Sequence, residues 1–502
     1  MKIDPLTRRD AAKLAGSAAI GGILAAPPAS AAGNLDEICG MTATRMATAI
    51  RSGKLSARDA MTAHLRRVEA VNPKVNAIVT LVADQAMAQA AHADEAIAAK
   101  RPLGPLHGLP VVIKDLHDTA GIRTTYGSPL FQDNVPTADT IGVERLKHAG
   151  AIVIGKSNTP EFGAGSQTFN EVFGATHNPY DLTKTCGGSS GGAAVSLACN
   201  LVPLADGSDM GGSLRNPASF CNVVGLRSSH GRVPELSNGM AWFTLSVPGP
   251  MARNVADLAL MLSVLAGPDD RSPVSISEPG SQFARPLARD CKGLRIAWMK
   301  EIGGMPFEES ITHVVSGQRK VFESLGCKLD EAAPDFTGAD EAFKTLRAWS
   351  FENRYSQIVK SQRAKVKDTV IWEVERGAKL TGPQISRAEV LKTQLFHRMR
   401  VFFEKYDYFV LPVTQVPPFD LHQPYPTEVA GQKMETYIDW MKSCYYISIT
   451  GYPAISVPAG FTPEGLPVGL QIVGKHRNEW GILQLAHAFE QATKFGEKRP
   501  GI

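Results

Sequence analysis

Three stretches of this 502-residue chain place side chains and glycines where they could do chemistry. The first is Thr185-Cys186-Gly187-Gly188-Ser189-Ser190-Gly191-Gly192. The second follows closely and reads Ala205-Asp206-Gly207-Ser208-Asp209-Met210-Gly211-Gly212-Ser213-Leu214-Arg215. Glycine permits backbone conformations that a side chain forbids, so two glycine-flanked serine loops imply a built site whose backbone N–H groups face a ligand. The third is Val111-Val112-Ile113-Lys114-Asp115, a lysine directly after three residues of buried type. A serine hydroxyl becomes a nucleophile only when a base takes its proton. A lysine qualifies as that base once burial has stripped its charge.

Other readings of the same residues are simpler. A Gly/Ser run can be a flexible linker, but linkers do not repeat the pattern and then enter a run such as Ala193-Ala194-Val195-Ser196-Leu197-Ala198. A phosphate cradle at a helix N-terminus would fit the glycines, yet the Gly-Lys-Ser/Thr triplet of a phosphate-binding loop is missing here. Gly188-Ser189-Ser190-Gly191-Gly192 also fits the Gly-x-Ser-x-Gly nucleophile elbow, with Ser190 as nucleophile. That elbow follows a buried strand, whereas Asn178 to Lys184 is polar and turn-like. Lys114, finally, could be a salt-bridged structural lysine with Asp115 or Asp209 as partner.

The elements that must position these residues follow an α/β rhythm. Residues 40–100 read as helical, with Ser56 capping a helix that Asn72-Pro73 closes and an Ala-rich helix from Ala86 to Lys100. Val111 to Ile113, Ala151 to Gly155, the apolar run Ala198 to Leu204, Leu294 to Trp298, Tyr408 to Val413, Ala454 to Pro458 and Pro467 to Gly474 read as strands. With the helix starting at Ile141 and a final helix Trp480 to Thr493, they predict a mostly parallel sheet covered on both faces. Between 330 and 440 long helical patterns carry Phe343, Trp349, Phe351, Tyr355, Trp372, Tyr437 and Trp440. These predict a helical cap whose aromatics serve as core or as the wall of an apolar pocket.

Composition sets outer bounds. A hydrophobic share of 43% with 20% charged residues is that of a globular protein, and a net charge of +4 without Lys/Arg runs gives no reason to expect nucleic acid. The seven scattered cysteines lack C-x-x-C spacing, which argues against a disulfide framework and a zinc site; Cys186 reads as packing. Paired arginines in Thr7-Arg8-Arg9-Asp10, an apolar stretch from Leu14 to about Ala26 and the small residues Pro28 to Ala32 have the layout of a twin-arginine signal. The expectation is a signal peptide over 1–31, cleaved near Ala31, and one domain over 35–500 in the periplasm or outside the cell. No stable membrane insertion is expected after processing. Oligomeric state is open, a homodimer included.

Taken in order, the motifs resemble the amidase signature family. The match runs through Gly108-Leu109-Pro110-Val111-Val112-Ile113-Lys114-Asp115, the two serine loops, Gly249-Pro250-Met251-Ala252-Arg253 and Gly465-Leu466-Pro467-Val468-Gly469-Leu470-Gln471. It spans about residue 40 to the C-terminus. The resemblance implies a single α/β/α domain with a mixed sheet between helical layers, and hydrolysis or transfer of amide bonds without metal or organic cofactor. Carried over by residue, it implies Ser213 as nucleophile, Ser189 as a second serine after a cis peptide bond, and Lys114 as base. Ser190 is a supporting serine, and Asp209 and Arg215 shape the loop. The backbone N–H groups of Met210, Gly211, Gly212 and Ser213 are the expected oxyanion hole.

The leading expectation is therefore an exported hydrolase of a small-molecule amide. A component of a tRNA-dependent amidotransferase is the alternative within the family. From another class, an exported solute-binding protein would need neither the paired serine loops nor the lysine.

Overall fold

The computed structural model describes residues 36–237, 239–299 and 304–502; the arginine pair and the expected signal segment lie outside them. The fold is organised by one 11-stranded sheet. In chain order its strands are β1 (Ile78–Leu81), β2 (Pro110–Lys114), β3 (Ile152–Ser157), β4 (Leu204–Asp209), β5 (Val224–Arg227), β6 (Val247–Ala252), β7 (Arg295–Trp298), β8 (Lys328–Glu331), β9 (Tyr408–Pro412), β10 (Ala454–Phe461) and β11 (Pro467–Gly474). Their spatial order is β1-β3-β2-β4-β6-β5-β10-β11-β9-β7-β8.

The sheet is mixed, which corrects the mostly parallel reading and agrees with the family expectation. β3, β2 and β4 run parallel near one edge and β9, β7 and β8 near the other. The centre, from β4 through β6, β5, β10 and β11 to β9, is antiparallel throughout. Every residue of β2, β3, β9 and β11 is buried. Successive strand residues point to opposite faces, so these strands are covered on both sides.

Several element boundaries differ from the sequence reading. The helix capped by Ser56 runs through Asn72-Pro73 to Val75, where Asn76 takes a left-handed conformation (φ 50) and ends it. The Ala-rich helix is Ala83–Ala98. Ala198 ends the helix Gly191–Ala198 and is not a strand residue; β4 starts at Leu204. Three helices, Ala339–Gln362, Asp368–Ala378 and Gly382–Lys405, form the polar region expected to be helical. All seven cysteines are free and buried. No described helix is long and apolar enough to cross a membrane.

Candidate active site

Two parallel neighbours set the site's floor. β2 ends at Lys114, and β4 runs beside it in parallel with Val111 opposite Leu204 and Val112 opposite Ala205. Both strands therefore deliver their C-terminal residues to one end of the sheet, where ligands of α/β sheets gather. Lys114 is buried, and its backbone N–H donates to Asp206 Oδ1 at 2.6 Å. Asp206 and Ser208 stand two apart on β4, and so share a face.

The Lys114 amine is surrounded by hydroxyls. Nζ lies 2.7 Å from Ser189 Oγ, 2.9 Å from Ser190 Oγ and 3.1 Å from Ser208 Oγ. Among the described residues no carboxylate forms an ion pair with it, which removes the reading of Lys114 as a salt-bridged lysine with Asp115 or Asp209. Asp115 instead accepts from the Thr125 hydroxyl at 2.5 Å, and Asp209 pairs with Arg215. Burial lowers the lysine's pKa from 10.5 to about 7, with Asp206 and Asp209 opposing part of that shift. A neutral amine keeps one lone pair, which can accept from a hydroxyl.

The glycine loop that carries Ser189 is fixed through its carbonyls. Ser166 Oγ donates to Gly188 O at 2.6 Å and Thr168 Oγ1 to Gly187 O at 2.8 Å. The peptide bond between Gly188 and Ser189 is cis. Ser190 approaches β4 closely because position 207 has no side chain: a Cβ there would sit 2.6 Å from Ser190 Oγ. The Ser190 N–H donates to Ser213 O at 3.1 Å, so the two serine loops are joined directly. Ser189 and Ser213 line one cavity with Ser208. No hydrogen bond among the described residues engages the Ser213 hydroxyl or links it to Ser189.

The Ser213 loop is built around a buried ion pair. Asp209 accepts from Arg215 Nε and Nη2, both at 3.0 Å, and from the Gly212 and Leu214 N–H groups at 2.8 and 3.1 Å. Burial alone would raise the Asp209 pKa, but Arg215 and Arg227 outweigh it and hold the carboxyl below its usual range. Arg215 goes on to Gln471 Oε1 at 2.6 Å, Ser448 Oγ at 2.7 Å and Cys444 O at 3.0 Å, which pins the loop to β11 and to the helix Lys442–Thr450. Asp209 and Arg215 thus tie the loop together by hydrogen bonds. The oxyanion set needs one correction. Gly212 N–H is spent on Asp209, leaving the Met210, Gly211 and Ser213 amides without a partner among the described residues.

The cavity has a volume of about 300 Å³. The helix Ala339–Gln362 presents Arg347, Phe351, Arg354, Tyr355 and Ile358 to it, a set spaced for one helical face. Phe162 stacks on Tyr355 with ring centroids 4.5 Å apart. Of the aromatics flagged in the cap, only Phe351 and Tyr355 reach the cavity; Phe343, Tyr437 and Trp440 are core. Sequence reasoning missed Ser208, Asp206, Arg227 and His117. His117 lines the cavity with its Nδ1 2.5 Å from Asp206 Oδ2. The one available signal was the polar alternation of Asp206 and Ser208 on a strand beside Lys114. Cys186 is packing: burial pushes its thiol up to about 12. Among the described residues no three His, Cys, Asp or Glu side chains are grouped to hold a metal.

The amidase family profile matches residues 59–483. An acylamidase from Rhodococcus erythropolis is 37% identical over 463 residues, covering 92% of this chain and 97% of that one. A glutamyl-tRNA(Gln) amidotransferase chain from Moorella thermoacetica is 35% identical over 492 residues, covering 93% and 99%. A bacterial aryl acylamidase of the amidase signature family superposes with a TM-score of 0.86 at 27% identity, over 93% of this chain and 99% of its own. These likenesses indicate an amide hydrolase, an enzyme acting on carbon–nitrogen bonds. The chain belongs to the amidase signature family. Membership sets aside the solute-binding reading.

Proposed function

We propose that the protein hydrolyses a carboxylic amide through an acyl-enzyme on Ser213. Ser213 gives its proton to Ser189, whose own proton passes to the neutral amine of Lys114. The alkoxide attacks the amide carbonyl, and the Met210, Gly211 and Ser213 amides face the developing oxyanion. The relay then runs backward and protonates the leaving nitrogen. Water enters by the same steps and releases the acid. Ser190 and Ser208 hold the Lys114 amine in place.

The observation that carries this reading is a buried lysine amine surrounded by three hydroxyls, with burial lowering its pKa to about 7. The cavity's Phe162, Phe351 and Tyr355 favour an apolar or aromatic group on the acyl or amine side. A panel of p-nitroanilides and simple amides tests it. Ser213→Ala should abolish turnover of every substrate while thermal melting stays cooperative; a folded variant that still hydrolyses them would refute the acyl-enzyme.

A role within a larger amidotransferase is the second reading, supported by the likeness to the Moorella thermoacetica protein. The two separate on one measurement: a hydrolase turns over amides as the purified single chain, whereas a transferase component needs its partners. The arginine pair Arg8-Arg9 and the apolar stretch after it favour export, and with it the hydrolase. Replacing both arginines with lysine should hold the enzyme in the cytoplasm, read by activity in cell fractions.

A further inference from the structure

His117 shares the cavity with Ser189, Ser208 and Ser213, and the proposed relay leaves it unused. It is held at two points. Its backbone carbonyl accepts from the buried Lys156 Nζ, which also reaches Thr124 Oγ1 at 2.8 Å and Thr119 Oγ1 at 3.0 Å. Its ring Nδ1 lies 2.5 Å from Asp206 Oδ2, and Asp206 is anchored in turn by the Lys114 N–H at 2.6 Å.

These contacts fix the tautomer. Carboxylate oxygens accept hydrogen bonds, so with Asp206 Oδ2 as acceptor Nδ1 is the ring nitrogen that donates. In the neutral imidazole Nε2 is then a bare acceptor. Nε2 has no hydrogen-bond partner among the described residues, and the ring lines the cavity that Ser189, Ser208 and Ser213 share. A substrate carbonyl cannot satisfy it, since that oxygen is itself an acceptor and is claimed by the amides of the Ser213 loop. The group that fits is the N–H of a primary or secondary amide.

We infer that His117 Nε2 accepts a hydrogen bond from the substrate's amide N–H and so selects N–H amides over esters and N-alkylated amides. The inference rests on the acyl transfer proposed above. Its physical basis is that a site built around a substrate donor rejects an analogue lacking it, because the acceptor is left unpaired.

The test measures kcat/KM on three matched substrates: an aryl anilide, its N-methyl derivative and the corresponding aryl ester. Assays run at one fixed, mildly alkaline pH. His117→Leu and His117→Phe should lower turnover of the N–H anilide by about 10–100-fold and change the other two by less than about twofold. His117→Gln, which carries an acceptor oxygen, should recover part of the loss. Equal losses on all three substrates, unchanged anilide turnover, or unfolding of both apolar variants would each make His117 structural and overturn the inference. Failure of the acyl-enzyme would show separately, as activity surviving in folded Ser213→Ala.

Discussion

Lys114 Nζ lies 2.7 Å from Ser189 Oγ in a pocket that offers the amine hydroxyls and, among the described residues, no paired carboxylate. Burial lowers the lysine's pKa to about 7, against an opposing pull from Asp206 and Asp209. As a base it must be deprotonated. Turnover should therefore rise as pH climbs through about 7 and level off on the alkaline side. The measurement is kcat/KM of a neutral amide against pH. A profile flat from acid through neutral would remove Lys114 from the base's role.

The same shift predicts a signature in stability. Between about 7 and 10.5 the unfolded chain holds the Lys114 proton and the folded chain does not. Stability must then increase with pH across that window, because the unfolded state binds more protons. Below about 7 both states are protonated and the folded state bears the whole penalty of a buried charge. Lys114→Met keeps the apolar volume and has no proton to lose. Unfolding free energy, wild type minus Lys114→Met, should rise by roughly a few kcal/mol over the window. The same variant should lose about 10²–10⁴-fold in kcat. A difference in stability that does not vary with pH would mean that the amine stays charged when folded.

Lys114, Ser189 and Ser213 stood out in the sequence through local patterns of glycines or apolar residues and a family resemblance, and the structure brings Lys114 to Ser189 and sets Ser189 and Ser213 on one cavity. Ser208 and Asp206 did not stand out, since their role comes from the register that sets β4 beside β2. His117 follows Lys114 by only three residues, but nothing local shows that Asp206 will hold its ring. The Gly212 amide was misassigned for a similar reason: which carboxylate claims an N–H depends on where Asp209 points. At the level of the fold, β6 was overlooked because Val247-Pro248-Gly249-Pro250 has the composition of a loop, and proline and glycine weaken strand signals. The pocket face of the helix Ala339–Gln362 has the spacing of a core face, so periodicity alone could not separate Phe351 and Tyr355 from Phe343.

The ion pair beneath Ser213 should matter for both folding and rate. Arg215→Met leaves Asp209 fully buried with Arg227 as its remaining cationic partner. Removing one member of a buried pair costs about 3–5 kcal/mol. Denaturant unfolding should show a loss of that order, and kcat should fall because the Ser213 loop loses its ties to Gln471, Ser448 and Cys444. Arg215→Lys should not restore either, since an ammonium lacks the planar fork that meets Asp209 through Nε and Nη2 together. Full stability in Arg215→Met would show that the loop stands without the pair.

The three hydroxyls around Lys114 are not equivalent, and their removal should separate relay from support. Ser189 is the one within 2.7 Å of the amine whose loop also borders the cavity beside Ser213, and Ser189→Ala should cost about 10²–10⁴-fold in kcat. Ser208 is the farthest of the three, at 3.1 Å, and offers the amine one hydrogen bond of ordinary strength. A neutral hydrogen bond contributes about 0.5–1.5 kcal/mol, so Ser208→Ala should lower kcat by about 2–10-fold and leave KM nearly unchanged. Because both hydroxyls touch the amine, the loss of either should shift the rising limb of the pH profile, and only Ser189→Ala should also lower the alkaline plateau by orders of magnitude. Parallel kcat and pH measurements on the two variants check this; a Ser208→Ala loss as deep as that of Ser189→Ala would transfer the relay to β4.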